Sequence, residues 1–236
     1  MCARGKIAVG ATLLFVLIPT EKSNDWLLWQ LADSAFPTGG FAHSGGLEAA
    51  WQHGEIRSAG DLSYFLETYM CQIATSMIPF VTAGHGDPDQ LESWNRRCDA
   101  FLTNHVANRA SRLQGRAFLN SASRIFGAVL NLGKVCDPSH YAPTFGVITR
   151  KLSLEKSTTA QLFAFQSLRG VIAAAVRLGI VGPMGAQTIQ HRMIARVAEI
   201  LESVGEVEIE DIASTSPLLE IWQAAQDRLY SRLFQS

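Results

Sequence analysis

FPTGGFAHSGGLE, residues 36–48, decides between two ways of reading this chain. Read as a strand-to-helix turn, Ala42-His43-Ser44-Gly45-Gly46 approximates a GxSxG nucleophile elbow, and the chain becomes a serine hydrolase using Ser44 on an α/β sheet. Read as a loop between helices, the stretch joins an apolar segment, Trp26–Leu31, to a second one starting at Leu47. Pro37, Gly39 and Gly40 stand where the elbow's strand would have to be, which favours the loop. A phosphate cradle is the third reading. It lacks its lysine, because Leu47 and Glu48 follow the glycines. In the loop reading, Ser44 or Gly45 caps a helix from Gly46 to about Gly54, with Glu48 in its first turn. Capping leaves Phe41 and His43 without a structural task. Loops on a rigid scaffold hold functional side chains outward, so these two are candidates for a presented surface.

Downstream, the apolar residues recur at helical spacing. Ser58-Ala-Gly-Asp61 opens a long amphipathic helix carrying Leu62, Phe65, Leu66, Tyr69, Ile73 and Met77. Asp87-Pro88-Asp89-Gln90 places an N-cap, a first-turn proline and a returning Gln ahead of a helix through Trp94 and Phe101. His105 to about Leu130 carries Val106, Ala110, Leu113 and Ala117 on one stripe. Asp137-Pro138 starts a segment at His140, and a long helix from about Glu155 turns Leu162, Phe165, Leu168, Ile172 and Val176 inward. GIVGPMG, residues 179–185, ends it. Ala186–Val204 puts Ile189, Met193, Val197, Ile200 and Val204 on one face and stops at Gly205. A final helix begins at Ser216-Pro217. No stretch shows alternating β-branched residues between hairpin turns, and no 20–50-residue period repeats. The fold class is therefore all-α, a single globular bundle of about eight helices.

Composition narrows the function. The chain has 236 residues, 47% of them hydrophobic, enough for one domain with a substantial core. Twenty basic residues against twenty-one acidic ones, with no long basic block, argue against nucleic acid as a partner. Cys2, Cys71, Cys98 and Cys136 are scattered without a CxxC pair, the pattern of reduced, mostly buried thiols in a cytoplasmic protein. The six histidines include no pair at i,i+3 or i,i+4, so no helix face offers two imidazoles to one metal. Met184 and Met193 read as core. Glu199, Glu202, Glu206, Glu208, Glu210 and Asp211 form an acidic run, a solvated face that could also meet a basic partner.

The two ends of the sequence are unusual. Arg4 and Lys6 precede an apolar run, Ile7–Ile18, which has the order of a signal sequence and is too short to span a bilayer as a helix. Residues 1–24 read as an apolar N-terminal extension ahead of a domain over 25–236; a membrane-associated helical protein using residues 7–18 is the alternative. Residues 226–236 include Arg228, Tyr230, Arg232, Leu233 and Phe234, a composition enriched at interface hot spots. Such a tail either docks on its own domain or is buried by a partner.

Five ordered motifs resemble one family. LLWQLADSAFPTGGFAHSGGLEAAWQHGEI, residues 27–56, resembles the N-terminal signature of the urease accessory protein UreF family, a leucine-rich helix followed by P-x-G-x-F-x-x-S-x-G-L-E. RLYSRLF at 228–234 resembles that family's closing motif. SRLQGRAFL at 111–119, HYAPTFG at 140–146 and AVRLGIVGPMGAQ at 175–187 fall between them in the family's order. The resemblance implies an all-helical homodimer without catalysis of its own. It implies a scaffold that binds a UreD/UreH-type accessory protein and recruits the GTPase UreG, so that nickel reaches the urease apoprotein when GTP is hydrolysed. Nickel and GTP would be handled by partners, leaving this chain with no cofactor or metal site of its own. The matching positions carry Pro37, Gly39, Gly40, Phe41, His43, Ser44, Gly46 and Glu48 into the interaction surface. They carry Arg228, Tyr230, Arg232, Leu233 and Phe234 into a tail expected to order against the partner. Many relatives have Tyr where this chain has His43, which adds a titratable group here. Many have His-Glu where it has Gln226-Asp227, which weakens any nickel contact by a tail histidine.

Overall fold

Residues 142–149, APTFGVIT, are buried at every position. A helix without an exposed face has to be wrapped by others on all sides. The computed structural model describes residues 21–130, 139–204 and 207–236. In chain order its helices are α1 Glu21–Ala32, α2 Leu47–Gln52, α3 Ala59–Ser76, α4 Ile78–Gly86, α5 Leu91–Phe101, α6 His105–Leu130, α7 Tyr141–Lys151, α8 Lys156–Arg177, α9 Pro183–Val204 and α10 Pro217–Ala225. Short 3-10 turns lie at Gly40–Ala42, Pro88–Gln90 and Gln226–Arg228. The described residues contain no strand, and the fold is an all-α bundle with α7 at its centre.

α7 packs against α4 on one side and α6 on another, while α8 bridges α4 to α9 and α3. Phe118, Tyr141, Phe145 and Phe163 form a continuous aromatic cluster at this crossing, with ring centroids 5.3–5.6 Å apart. Two motifs singled out above meet here. Buried His140, the N-cap residue of α7, faces the Ser111 hydroxyl at 3.1 Å through Nδ1 and the Asp99 carboxylate at 3.1 Å through Nε2. Its backbone N–H donates to Asn95 Oδ1 at 2.7 Å. One imidazole thereby ties α5, α6 and α7 together.

Several expectations hold as stated. Ser58 Oγ accepts the Asp61 N–H at 3.1 Å, and Asp61 Oδ2 accepts the N–H of Arg57, just ahead of the N-cap, at 2.9 Å, a capping-box-like start. Ile189, Met193, Val197 and Ile200 are buried on one face of α9. Cys71 and Cys98 are free thiols, Cys98 fully buried.

Other expectations are corrected. The helix expected to run through Met77 ends at Ser76, and α4 restarts at Ile78 because Pro79 fits only a first turn. Pro88–Gln90 forms its own 3-10 turn after the N-cap residue Asp87, whose carboxylate accepts from Gln90 Nε2 at 2.7 Å. On α6, Leu113 is 43% exposed, whereas Phe118 and Ala122 are buried. On α8, Phe163 is buried and Phe165 lies half-buried under Arg169. Met184 is 82% exposed on the first turn of α9 rather than core. α8 is long and apolar enough to cross a membrane, but Leu162, Phe163, Leu168, Val171 and Ile172 account for that by packing in the core. Ile7–Ile18, Cys2, Cys136, the Asp137-Pro138 start and the Gly205 stop lie outside the described residues.

The α4–α7 crossing has no room for side chains. A Cβ on Gly146 would stand 2.0 Å from the Val81 carbonyl oxygen, and one on Gly84 2.4 Å from that of Pro143. Gly146→Ala should therefore destabilise the fold by about 3 kcal/mol or more by pushing the helices apart. Gly170→Ala, where the added methyl meets nothing within 4 Å, should be neutral or stabilising by up to about 1 kcal/mol. Urea denaturation of both variants checks this; equal midpoints would contradict the close crossing.

Candidate functional site: the glycine loop and residues 226–236

The loop leaves α1 through Asp33, whose carboxylate accepts the Ala35 N–H at 2.9 Å. Phe36 then turns inward against Phe118 and Phe126, and Ser121 Oγ pins the Pro37 carbonyl at 2.9 Å. The 3-10 turn at Gly40–Ala42 leaves Phe41 71% exposed. Gly45 and Gly46 follow in the left-handed region, at φ 65° and 91°. No other residue enters that conformation twice running without strain, and a Cβ on Gly45 would stand 2.9 Å from the Tyr69 ring. This double turn starts α2 at Leu47, one residue later than expected, with Gly46 at the N-cap position. Ser44 is fully buried, and its hydroxyl accepts the Glu48 N–H at 3.4 Å. Buried ahead of a helix rather than presented on a strand-to-helix elbow, it lacks the geometry of a hydrolase nucleophile.

The turn aims Glu48 inward. Its side chain is 1% exposed, and a buried carboxylate is costly unless donors surround it. The donors come from the end of the sequence. Oε1 accepts the Leu233 N–H at 2.6 Å, and Oε2 accepts the Phe234 N–H at 3.1 Å and the Gln226 amide at 2.5 Å. Gln52, one helical turn on, adds a weak contact at 3.5 Å and donates to the Ser231 carbonyl at 2.9 Å. Beside this anchor the two segments pair backbone to backbone: Ser44 N–H meets the Ser236 carbonyl at 2.5 Å, and Gln235 N–H meets that of Ala42 at 2.8 Å.

Two arginines clamp the assembly. The Arg177 guanidinium, at the end of α8, is sandwiched between rings, 3.7 Å from the Phe41 centroid and 4.2 Å from that of Phe234. Arg109 on α6 grips Asp227 with two hydrogen bonds of 3.0 and 2.8 Å, while Arg232 and His105 approach the same carboxylate at 2.9 and 3.2 Å. The Arg109 hydrogen bonds and charge, ahead of the His105 hydrogen bond and the Arg232 charge, hold Asp227 below the usual carboxylate range. His43 Nδ1 lies 2.5 Å from the Ser236 hydroxyl. Burial, and then the nearby Arg109 charge, push its pKa down to about 4, so the ring is neutral at pH 7.

The sequence-nominated residues thus converge on one place. Glu48 meets Leu233 and Phe234, Phe41 shares the Arg177 guanidinium with Phe234, and His43 and Ser44 meet Ser236, whereas Arg232 reaches Asp227 and Gly46 lies against Trp222 and Gln223. Of the two fates open to the tail, Phe234 takes self-docking and is 3% exposed, whereas Tyr230 stands free of all cover and Leu233 is 50% exposed. Arg228 is exposed as well, and Pro37, Gly39 and Gly40 lie at the loop's outer edge. Arg177, Arg109, His105 and Gln52 were not foreseen. Arg177 lies inside the AVRLGIVGPMGAQ motif, so a signal for it existed. Beneath the loop runs a cavity of about 360 Å³ whose walls include Phe36, Tyr69, Ile73, Phe163 and Arg177. Among the described residues, no group of three His, Cys, Asp or Glu side chains is placed to hold a metal ion.

Comparison with known proteins agrees with this architecture of motifs. The UreF family model matches residues 56–194. The urease accessory protein F of Arabidopsis thaliana is 40% identical over 222 residues, covering 89% of this chain and 92% of its own length. The protein of the same name from Oryza sativa subsp. indica is 34% identical, covering 89% and 84%. A urease accessory protein UreF from Trichodesmium erythraeum is 28% identical, covering 92% and 99%. With a family model over more than half its length and relatives this similar over most of theirs, the chain belongs to the UreF family of urease accessory proteins.

Proposed function

We propose that this UreF-family chain serves urease maturation as a non-catalytic cytoplasmic scaffold, acting as a homodimer within a larger complex. It bridges a UreD/UreH-type accessory protein and a UreG-type GTPase, so that nickel, the cargo, enters the urease apoprotein when GTP is hydrolysed. One observation carries the assignment of the surface: the tail is fixed to the glycine loop through Glu48, yet turns Tyr230, Leu233 and one face of Phe41 to solvent. Exposed aromatic and aliphatic groups on an ordered backbone are what a partner can bury without first paying to order them.

Co-expression tests the reading: a urease operon from one organism, lacking its own counterpart of this gene, is supplied with the full chain or with a chain truncated after Asp227. The full chain should give nickel-loaded, active urease, and the truncated one apo-urease. Truncation should cost about 2 kcal/mol of stability from the lost Phe234 burial while leaving helical circular dichroism intact. No rescue by soluble full-length protein with matched partners would sink the scaffold reading.

Glu48→Ala should release the tail without truncating it. Limited proteolysis should then cut at Arg228 and Arg232 at least tenfold faster than in the parent, because the acceptors of the Leu233 and Phe234 N–H groups are gone. Unchanged cleavage would show that the arginine clamps and the backbone pairing at Ala42 and Ser44 hold the tail without Glu48.

Docking is also pH-dependent. Folded His43 takes its proton near pH 4 and unfolded histidine near 6.5, so the unfolded chain binds more protons throughout that window. Stability therefore falls as pH drops from 6.5 towards 4, by about 3 kcal/mol at full effect. His140, depressed chiefly by burial, adds loss in the same direction. The Tm should be lower at pH 5 than at 7.5, and His43→Phe should flatten the difference; a variant as steep as the parent would remove His43 from the account.

A further inference from the structure

We propose that the outer face of α1 binds a lipid bilayer surface, with Trp26 and Trp29 seated among the headgroups and the apolar run Ile7–Ile18 as the hydrophobic anchor. α1 buries Leu31 completely and Leu27 and Leu28 partly, so one side of the helix faces the core. Its other side carries Trp26, 72% exposed, and Trp29, 60% exposed. The two indoles lie one helical turn apart and pack edge to face, with ring centroids 5.2 Å apart. They stand apart from the loop–tail surface. α1 packs on α8, and it is tied there at its C-terminal end, where Gln166 and Arg169 donate to the Leu31 and Ala32 carbonyls.

The sequence ahead of the helix says what covers this face. Tryptophan joins a large apolar ring to one N–H donor, the combination that sits best at a membrane–water boundary. Ile7–Ile18, IAVGATLLFVLI, ends three positions before Glu21, and Trp29 lies only about 12 Å along the helix from Glu21. Indoles and apolar run are therefore neighbours on the chain. The run shows no polar stripe, Thr12 being its one hydroxyl, whereas a helix received by a protein groove is apolar on one face. At about 18 Å as a helix it is too short to cross a hydrocarbon core of about 30 Å, so the chain would lie on the bilayer rather than span it. Residues 1–20 include Arg4 and Lys6 and no Asp or Glu, a balance that favours an anionic leaflet. Asp25, exposed beside the indoles, would stay in the headgroup water.

The test uses the intact full-length chain and vesicles of phosphatidylcholine with about 30% phosphatidylserine, read by flotation so that aggregated protein does not count as bound. The parent should float with the vesicles, and bromine on the lipid acyl chains should quench part of its tryptophan emission. Trp26→Ser with Trp29→Ser should raise the lipid concentration for half-binding by about tenfold or more. It should also remove the quenching, since Trp51, Trp94 and Trp222 lie on α2, α5 and α10. Leu14→Asp with Leu17→Asp should abolish flotation. Circular dichroism and Tm matching the parent establish that both variants fold. Vesicles of phosphatidylcholine alone should bind the parent more weakly, and added salt should lower its binding to the anionic vesicles. A parent that does not float, or a Trp variant that floats as well as the parent, overturns the proposal. So does acrylamide quenching of Trp26 and Trp29 that a purified accessory protein blocks and vesicles do not, which would make this face a protein docking site. The readout is lipid binding rather than urease activation, so it decides the membrane proposal independently of the scaffold reading.

Discussion

A carboxylate removed from water must be given donors, and the Glu48 carboxylate is given those of a segment about 180 residues away. The glycine loop and the tail are consequently one structure. Gly45 and Gly46 turn the chain so that α2 starts with Glu48 facing inward, and an inward Glu48 is tolerable only with Leu233, Phe234 and Gln226 around it. Remove the donors and the loop keeps a buried charge; remove the charge and the tail keeps two backbone N–H groups without acceptors.

Two further contacts set the direction in which the tail lies. Arg177 stacks between Phe41 and Phe234, so the exposed ring of the loop and the buried ring of the tail are held by one guanidinium. That guanidinium comes from the end of α8, which buries Leu162, Phe163, Leu168, Val171 and Ile172 in the core. Asp227 collects Arg109, His105 and Arg232 at the opposite side. Exposed ion pairs of this kind stabilise little individually. Their effect is positional, fixing where the tail leaves α10 before it reaches Glu48.

The fold was legible because helices bury one stripe in every three or four residues, and α3, α8 and α9 show that stripe plainly. It misled where two stripes compete. Phe163 and Phe165 both suit an inward position on α8, and only the aromatic cluster around Phe145 selects the first. The break at Met77 was hidden because the apolar pattern runs through it, while Pro79 alone marks the restart. Within the site, local chemistry was readable: glycine density announced the loop, and Phe41 and His43 stood out as residues a simple cap does not need. Glu48 was read as a first-turn acid, a role its position suits, but its burial depends on contacts across the whole chain. Arg109 was illegible for the same reason, and Arg177 was marked only by lying within its motif, since surface arginines at helical spacing look alike until the fold brings a particular ring or carboxylate to them.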